Sequence, residues 1–226
     1  IEPRIDLGDN FQKRNTVLYA RNASFEIARR LGFRYFVQLD DDYFWFHYRF
    51  DGAARYCCVD LYSLDWLFDQ LCDYLAATPF LSVAISQGGD HIGGGKSPQM
   101  SAIKSRRKAM NSFVCDVERP FQFVARMNDD VSTYTVLQRL GLPFLTFLAP
   151  QLVQVVTQAT AGGLTEMYLE HGTYVKSFYS VMFVPSAVRI GTLASHGKGE
   201  AHRRLHHTIN WNAVAPCIIR EEHRKP

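Results

Sequence analysis

Hydrophobic runs that end abruptly in charge punctuate this chain. Tyr35-Phe36-Val37-Gln38-Leu39 passes directly into Asp40-Asp41-Asp42, and five such residues predict a buried strand delivering acids to its carboxyl end. Upstream, residues 16–20 are short and apolar, and Asn22 is placed to cap a helix reaching about Leu31. Ala23, Ile27 and Leu31 share one face of that helix, Phe25 and Ala28 widen it, and Gly32 suits the left-handed position just past its end. Residues 43–50 hold six aromatics and His47, too bulky a set for a plain loop, so they line a cleft or form a second strand. A helix capped by Ser63 is expected through about Ala77, because Leu64, Leu67, Phe68, Leu71 and Leu75 recur at helical spacing. Further β-rich stretches are expected at 80–86, 113–117, 144–148, 152–157 and 180–184. Helices are expected at 131–140, stopped by Gly141 and Pro143, and at about 165–171. Helices alternating with strands argue for an α/β fold.

Composition narrows the class. At 226 residues, 47% hydrophobic and 21% charged, the chain reads as one soluble globular domain over 1–226. No apolar stretch approaches a membrane span, and no charged-then-apolar secretory signal opens the chain. It starts abruptly on Ile1-Glu2-Pro3; part of a first strand is expected upstream, so a start trimmed at the amino end is expected. The net charge of +3 is too small to demand nucleic acid and permits it if the basic residues cluster. The five cysteines form no Cys-x-x-Cys pair, so a reducing, cytoplasmic compartment is the simpler inference.

The acids carry the most pointed chemistry. Carboxylates about 6–7 Å apart repel by about 2.5 kcal/mol per pair at an effective dielectric near 20, so the cluster asks for a cation. Side chains alternate along a strand, which would aim Asp40 and Asp42 the same way. Mg²⁺ or Mn²⁺, completed by substrate phosphates, suits such oxygens; the plainer alternative is a solvated acidic turn. A second apolar run, from Phe121, ends in Asp129-Asp130 near the start of the 131–140 helix. There the acids either complement the helix dipole or supply a general base.

Other candidates are weaker. Arg21 could reach a phosphate. Gly95-Lys96-Ser97 matches the end of a phosphate-loop pattern, but Asp90 stands where its first glycine belongs and Pro98 interrupts the helix. That stretch is therefore expected to be a mobile loop over an acceptor or a plain flexible turn. Lys104, Arg106, Arg107 and Lys108 form a basic group that is either a solvated face or a grip on a phosphate backbone. Four of the eight histidines fall within residues 196–207 with no cysteine beside them, which argues against structural zinc.

The run from Arg21-Asn22-Ala23-Ser24 through Asp40-Asp41-Asp42-Tyr43, then Lys108-Ala109-Met110-Asn111-Ser112-Phe113, Arg126-Met127-Asn128-Asp129-Asp130-Val131 and His206-His207-Thr208-Ile209-Asn210-Trp211, resembles the TET/JBP-associated glycosyltransferases. This group includes phage DNA glycosyltransferases and is related to the base J glucosyltransferase. The resemblance runs in order over nearly the whole chain. It implies a single-domain GT-A type fold, a Rossmann-like mixed sheet flanked by helices. It also implies transfer of a sugar, glucose from UDP-glucose, to a 5-hydroxymethylpyrimidine in DNA inside a phage-infected bacterial cell. Arg21, Asn22, Asp40 and Asp41 would then bind the nucleotide sugar, and Asp40 and Asp42 would form the metal-binding Asp-x-Asp element. Asp42 is the favoured direct ligand, with His206 or His207 near the same Mn²⁺ or Mg²⁺. Asn128-Asp129-Asp130 stands where the family more often has Asn-Glu-Asp, so Asp129 or Asp130 is the base. A protein, glycan or small-molecule acceptor is the alternative, and a non-catalytic DNA-binding module a further one.

Overall fold

The computed structural model describes residues 16–96, 106–155, 172, 174–194 and 203–215. Two compact units divide the chain: Ile1–Ala23, Gln122–Gly141 and Thr160–Pro226 form one, and Ser24–Phe121 with Leu142–Ala159 form the other. Neither is continuous in sequence, which is why no linker marks them.

The second unit carries a six-stranded mixed sheet. In chain order its strands are β1 (Tyr35–Leu39), β2 (Tyr43–Phe50), β3 (Tyr56–Asp60), β4 (Ser82–Gln87), β5 (Ser112–Asp116) and β6 (Phe144–Gln154). Their spatial order is β1-β5-β4-β6-β2-β3. Only β4 and β6 run parallel; the remaining neighbours are antiparallel. Helix α2 (Asp65–Ala77) buries Leu67, Leu71 and Leu75 against Val83, Ile85, Val114 and Leu152, each leucine contributing about 1.5–3 kcal/mol. This is the expected α/β class, with helices flanking a mixed sheet.

Local chemistry explains where elements begin and end. Helix α1 (Val17–Arg30) starts earlier than expected: Thr16 Oγ1 accepts the Leu18 amide, so Thr16 and not Asn22 is the cap. At its end Phe33 N–H bonds Ala28 O and Gly32 N–H bonds Arg29 O, a Schellman closure with Gly32 at φ 77°. Phe25 there meets Phe36 and Phe121 edge-on at 5.0 and 5.1 Å. Helix α2 makes no side-chain cap; Leu64 holds that position in place of the expected Ser63. Strand β3 has no counterpart among the sequence expectations. The two β stretches expected around Pro150 are one long strand, β6.

In the first unit, α3 (Asp129–Arg139), α4 (Val175–Phe183), the antiparallel pair β7 (Val188–Ala194) and β8 (Arg203–Ile209), and α5 (Trp211–Val214) enclose Val184, Ala187, Val188 and Val214. Tyr134 stacks on Trp211 at 5.8 Å. Residues 180–184, expected as a strand, belong instead to α4 and its cap; a short apolar run satisfies either period, and here the helical one won. The expected helix at 165–171 lies outside the described residues.

One irregularity shapes the sheet. Ile85 pairs with Phe147, yet Ser86 pairs with Gln151, so Leu148, Ala149 and Pro150 bulge from β6. From Pro150 onward β6 also pairs with β2, from Tyr48↔Pro150 to Tyr43↔Gln154. Ser86 Oγ donates to Pro150 O at 2.6 Å and meets His91 Nε2 at 2.8 Å. A hydroxyl has one proton, so His91 carries its own on Nε2 and donates it to Ser86 Oγ. Burial first, then the Arg49 charge and to a smaller degree Arg107, push its pKa down to about 4 from 6.5, and Asp90 partly opposes them. The unfolded imidazole therefore binds a proton at a higher pH than the folded one, and this contribution to stability, full above pH 6.5, is lost as pH falls through about 4. Urea unfolding at pH 7.5, 5.5 and 4.5 should show wild type losing more stability than His91→Gln across that window. Parallel pH curves for the two proteins would remove His91 from the acid limb.

Candidate active site

Strand β1 stops at Leu39, opposite Ser112, and the acids lie beyond it in a turn. Strand alternation therefore does not govern Asp40 and Asp42, contrary to expectation. Asp41 is exposed, and Asp40 and Asp42 are half-buried. The Asp42 carbonyl accepts the Val155 amide at 3.0 Å, tying the turn to the end of β6. Its carboxylate is asymmetric: Oδ2 accepts Gln154 Nε2 at 2.6 Å, whereas Oδ1 is buried and has no hydrogen-bond partner. A buried carboxylate oxygen left open in this way suits a hard cation. Among the described residues no three His, Cys, Asp or Glu side chains gather; a Mg²⁺ or Mn²⁺ ion here would be held by one or two carboxylates and completed by substrate oxygens.

Polar side chains from neighbouring strand ends converge on Gln154. Gln87, ending β4, and Asn111, preceding β5, each bring an amide nitrogen 3.5 Å from Gln154 Oε1. Asn111 is held in the left-handed region at φ 56°, and the Tyr43 hydroxyl donates to its carbonyl. Sequence reasoning singles out none of the three as a site residue. Asn111 falls inside the Lys108–Phe113 motif, and Gln87 and Gln154 end strands, which is the only signal pointing to them.

The glycine-rich stretch is built rather than slack. It forms two 3-10 turns, Gly88–His91 and Gly94–Lys96. Asp90 Oδ2 accepts Gln87 N–H at 2.9 Å, and Arg107, 8% exposed, pairs with Asp90 Oδ1 at 3.0 Å. Gly95 sits so close to Tyr56 that a Cβ would lie 2.7 Å from that side chain. Arg107 is thus committed to this turn, whereas Arg106 is exposed and Lys108 half-buried. Lys104 lies outside the described residues.

The first unit holds the second group of candidates. Residues 121–126 form no strand; they are an irregular buried segment with Ala125 at φ 71°, a costly conformation that neighbours must hold. Asn22 does so from inside α1: its Oδ1 accepts Phe123 N–H at 2.7 Å and its Nδ2 donates to Phe123 O at 3.1 Å. Thr133 Oγ1 accepts the next amide, Val124 N–H, at 2.8 Å. Arg21 lies over the Phe123 ring at 5.4 Å and ion-pairs with Asp129 at 2.5 Å, both side chains under 10% exposed. Asp129 and Asp130 are buried in the first turn of α3, at the helix start expected from sequence. Asp130 Oδ1 accepts Val131 N–H at 2.7 Å.

Asn128, left-handed at φ 55°, links α3 to α4 and β8. Its Nδ2 donates to Ser180 Oγ at 2.7 Å and faces His207 Nδ1 at 3.2 Å. With the amide so oriented, Nδ1 accepts and the proton of a neutral His207 sits on Nε2. Ligation of a metal through Nε2 requires Asn128 to turn over and present oxygen to the ring. His207 is buried and its ring lies 4.1 Å from that of the half-buried His206.

No helix among the described residues is long and apolar enough to cross a membrane. No curated protein and no solved structure matches the chain. The profile of one family, TET-Associated Glycosyltransferase, matches residues 5–163, a span that contains both acidic groups and leaves α4, β7 and β8 with His206 and His207 outside it. Over more than half its length, then, this chain carries that family's pattern, and it belongs to the TET-Associated Glycosyltransferase family.

Proposed function

We propose that this glycosyltransferase moves glucose from UDP-glucose to the hydroxymethyl group of a 5-hydroxymethylpyrimidine in DNA, using Mn²⁺ or Mg²⁺. The observation that carries the donor half is Asp42, whose Oδ2 is fixed by Gln154 while buried Oδ1 is left open. Asp42, with Asp40 beside it, holds the cation. When bound, that cation disperses the charge growing on the diphosphate as the sugar departs. Asp129 or Asp130 takes the acceptor hydroxyl proton as its oxygen bonds to the anomeric carbon; the bond to the diphosphate breaks and its electron pair leaves with the phosphate. This course inverts the anomeric centre. Arg21 holds Asp129 in place.

The acceptor assignment rests on the family relationship and on surface chemistry. Reaching a base within a duplex means extruding it, at a cost of about a few kcal/mol. Of the aromatics in β2, Tyr43 and Phe46 pack on the core, while Phe44 and Trp45 are exposed and offer stacking surface. Arg106 is exposed and is assigned to backbone phosphate.

Asp42→Asn should lower Mn²⁺-dependent sugar transfer to hydroxymethylated DNA by about 10²-fold or more with the melting temperature retained. Full activity in that variant sinks the ion site, and equal transfer to unmodified DNA or a glycan sinks the acceptor. Asp129→Asn and Asp130→Asn should separate, since only the base should lose about 10²–10⁴ in kcat. Losing the Arg21 pair in Asp129→Asn should also destabilise the fold by about 3–5 kcal/mol, measurable by denaturant titration. Arg106→Gln should reduce the salt slope of DNA binding by about one, and Arg107→Gln should lower the unfolding midpoint instead. An unchanged slope for Arg106→Gln moves the DNA contact elsewhere.

A further inference from the structure

We infer that Gln154 is the positioning residue for Asp42 and that the glycine-rich turn sets its orientation through Gln87; the inference rests on the ion site proposed above. Four polar groups form a directed chain. The Asp90 backbone amide donates to the Gln87 side chain, while the Asp90 carboxylate accepts Gln87 N–H, a reciprocal cap on the first 3-10 turn. With its side-chain oxygen so occupied, Gln87 has only Nε2 to offer, and it faces Gln154 Oε1 at 3.5 Å. Asn111 Nδ2 faces the same oxygen at 3.5 Å. Gln154 Nε2 then donates to Asp42 Oδ2 at 2.6 Å, and Oδ1 closes the chain with no hydrogen-bond partner.

The orientation of the Gln154 amide is set by charge alone. Reversing it would set its NH₂ against two amide donors and its oxygen against a carboxylate oxygen, three repulsive contacts in place of three attractive ones. The two 3.5 Å contacts are long for hydrogen bonds and individually weak; they select the flip, while the 2.6 Å bond fixes the carboxylate. A carboxylate that must offer one lone pair in one direction gains from a donor on its other oxygen, because that donor removes the rotation about its last torsion. Arg107, paired with Asp90 at 3.0 Å and donating to Asp90 O at 2.9 Å, anchors the far end of the chain. The turn fails as a phosphate loop on spacing, and its part is instead to hold the amide that orients Gln154 and, through it, Asp42.

Direct Mn²⁺ titration, with free Mn²⁺ measured by paramagnetic resonance, tests this without turnover. Asp42→Asn should lose binding. Gln154→Leu should weaken the Mn²⁺ Kd about 10–100-fold with the melting temperature within a few degrees of wild type. Gln87→Leu should weaken it less, about 3–10-fold, and the double variant should be no worse than Gln154→Leu, because both act along one chain. Unchanged Mn²⁺ affinity in Gln154→Leu, with binding lost in Asp42→Asn, leaves the ion site standing and overturns the positioning role. Additive losses in the double variant overturn the link to the turn. Wild-type binding in Asp42→Asn removes the ion site and the positioning role with it. Should Gln154→Leu fail to fold, Gln87→Leu decides: a folded protein with wild-type affinity refutes the chain.

Discussion

The three-residue break in β6 is the constraint on which the sheet depends. Strands β1 and β2 are joined by only Asp40, Asp41 and Asp42, yet stand four places apart in the sheet. Four strand spacings measure about 19 Å, whereas four residues extend at most about 14 Å, so a flat sheet cannot accommodate that link. At the offset of Leu148–Pro150 β6 changes direction: β4 pairs on both sides of it, whereas β2 joins only the second half, from Pro150 to Gln154. The offset also leaves carbonyls out of register, and the Ser86 hydroxyl answers that of Pro150 with His91 behind it. The acidic turn lies between strand ends, where the Gln154 amide reaches Asp42 and those of Gln87 and Asn111 reach Gln154.

Much of this sheet is legible in sequence because its signals are local. The apolar run before Asp40, the leucines of α2 and the left-handed glycine after α1 each obey a rule that needs no partner. What escapes depends on tertiary partners. Asn22 looks like a cap, but its amide clamps Phe123, a hundred residues away, and the true cap is Thr16. Gln154 and Gln87 are indistinguishable in sequence from solvated glutamines; only the contact of Gln87 with Gln154, and of Gln154 with Asp42, gives them meaning. Residues 203–209, conspicuous for histidine, are also a strand, since Leu205, His207 and Ile209 alternate with more polar positions.

The first unit shows how much polar chemistry a buried element can carry. Asp129, Asp130, Ser132, Thr133, Thr135 and Gln138 are all buried in α3, so an amphipathic pattern is missing and nothing in the residue order signals burial. Three of these groups bond outward, Asp129 to Arg21, Thr133 to Val124 and Ser132 to Ser180, while Thr135 bonds back to carbonyls of its own helix. Such bonds are directional, so they specify where the segment around Ala125 and Asn128 lies, which apolar packing would leave looser.

The position of β6 also imposes an order of assembly. This strand lies between β4 and β2, yet it is the last of the six to appear along the chain. Until residues 144–154 are available, β4 lacks its parallel neighbour, and the pair β2–β3 has nothing to join it to the rest of the sheet. Parallel pairing across more than fifty intervening residues is slow to close, so the aromatic residues of β2 wait with their core face uncovered. During synthesis, therefore, the emerging chain passes through a stage in which two separate β pieces need shielding from other chains, and arrival of β6 ends it in one step.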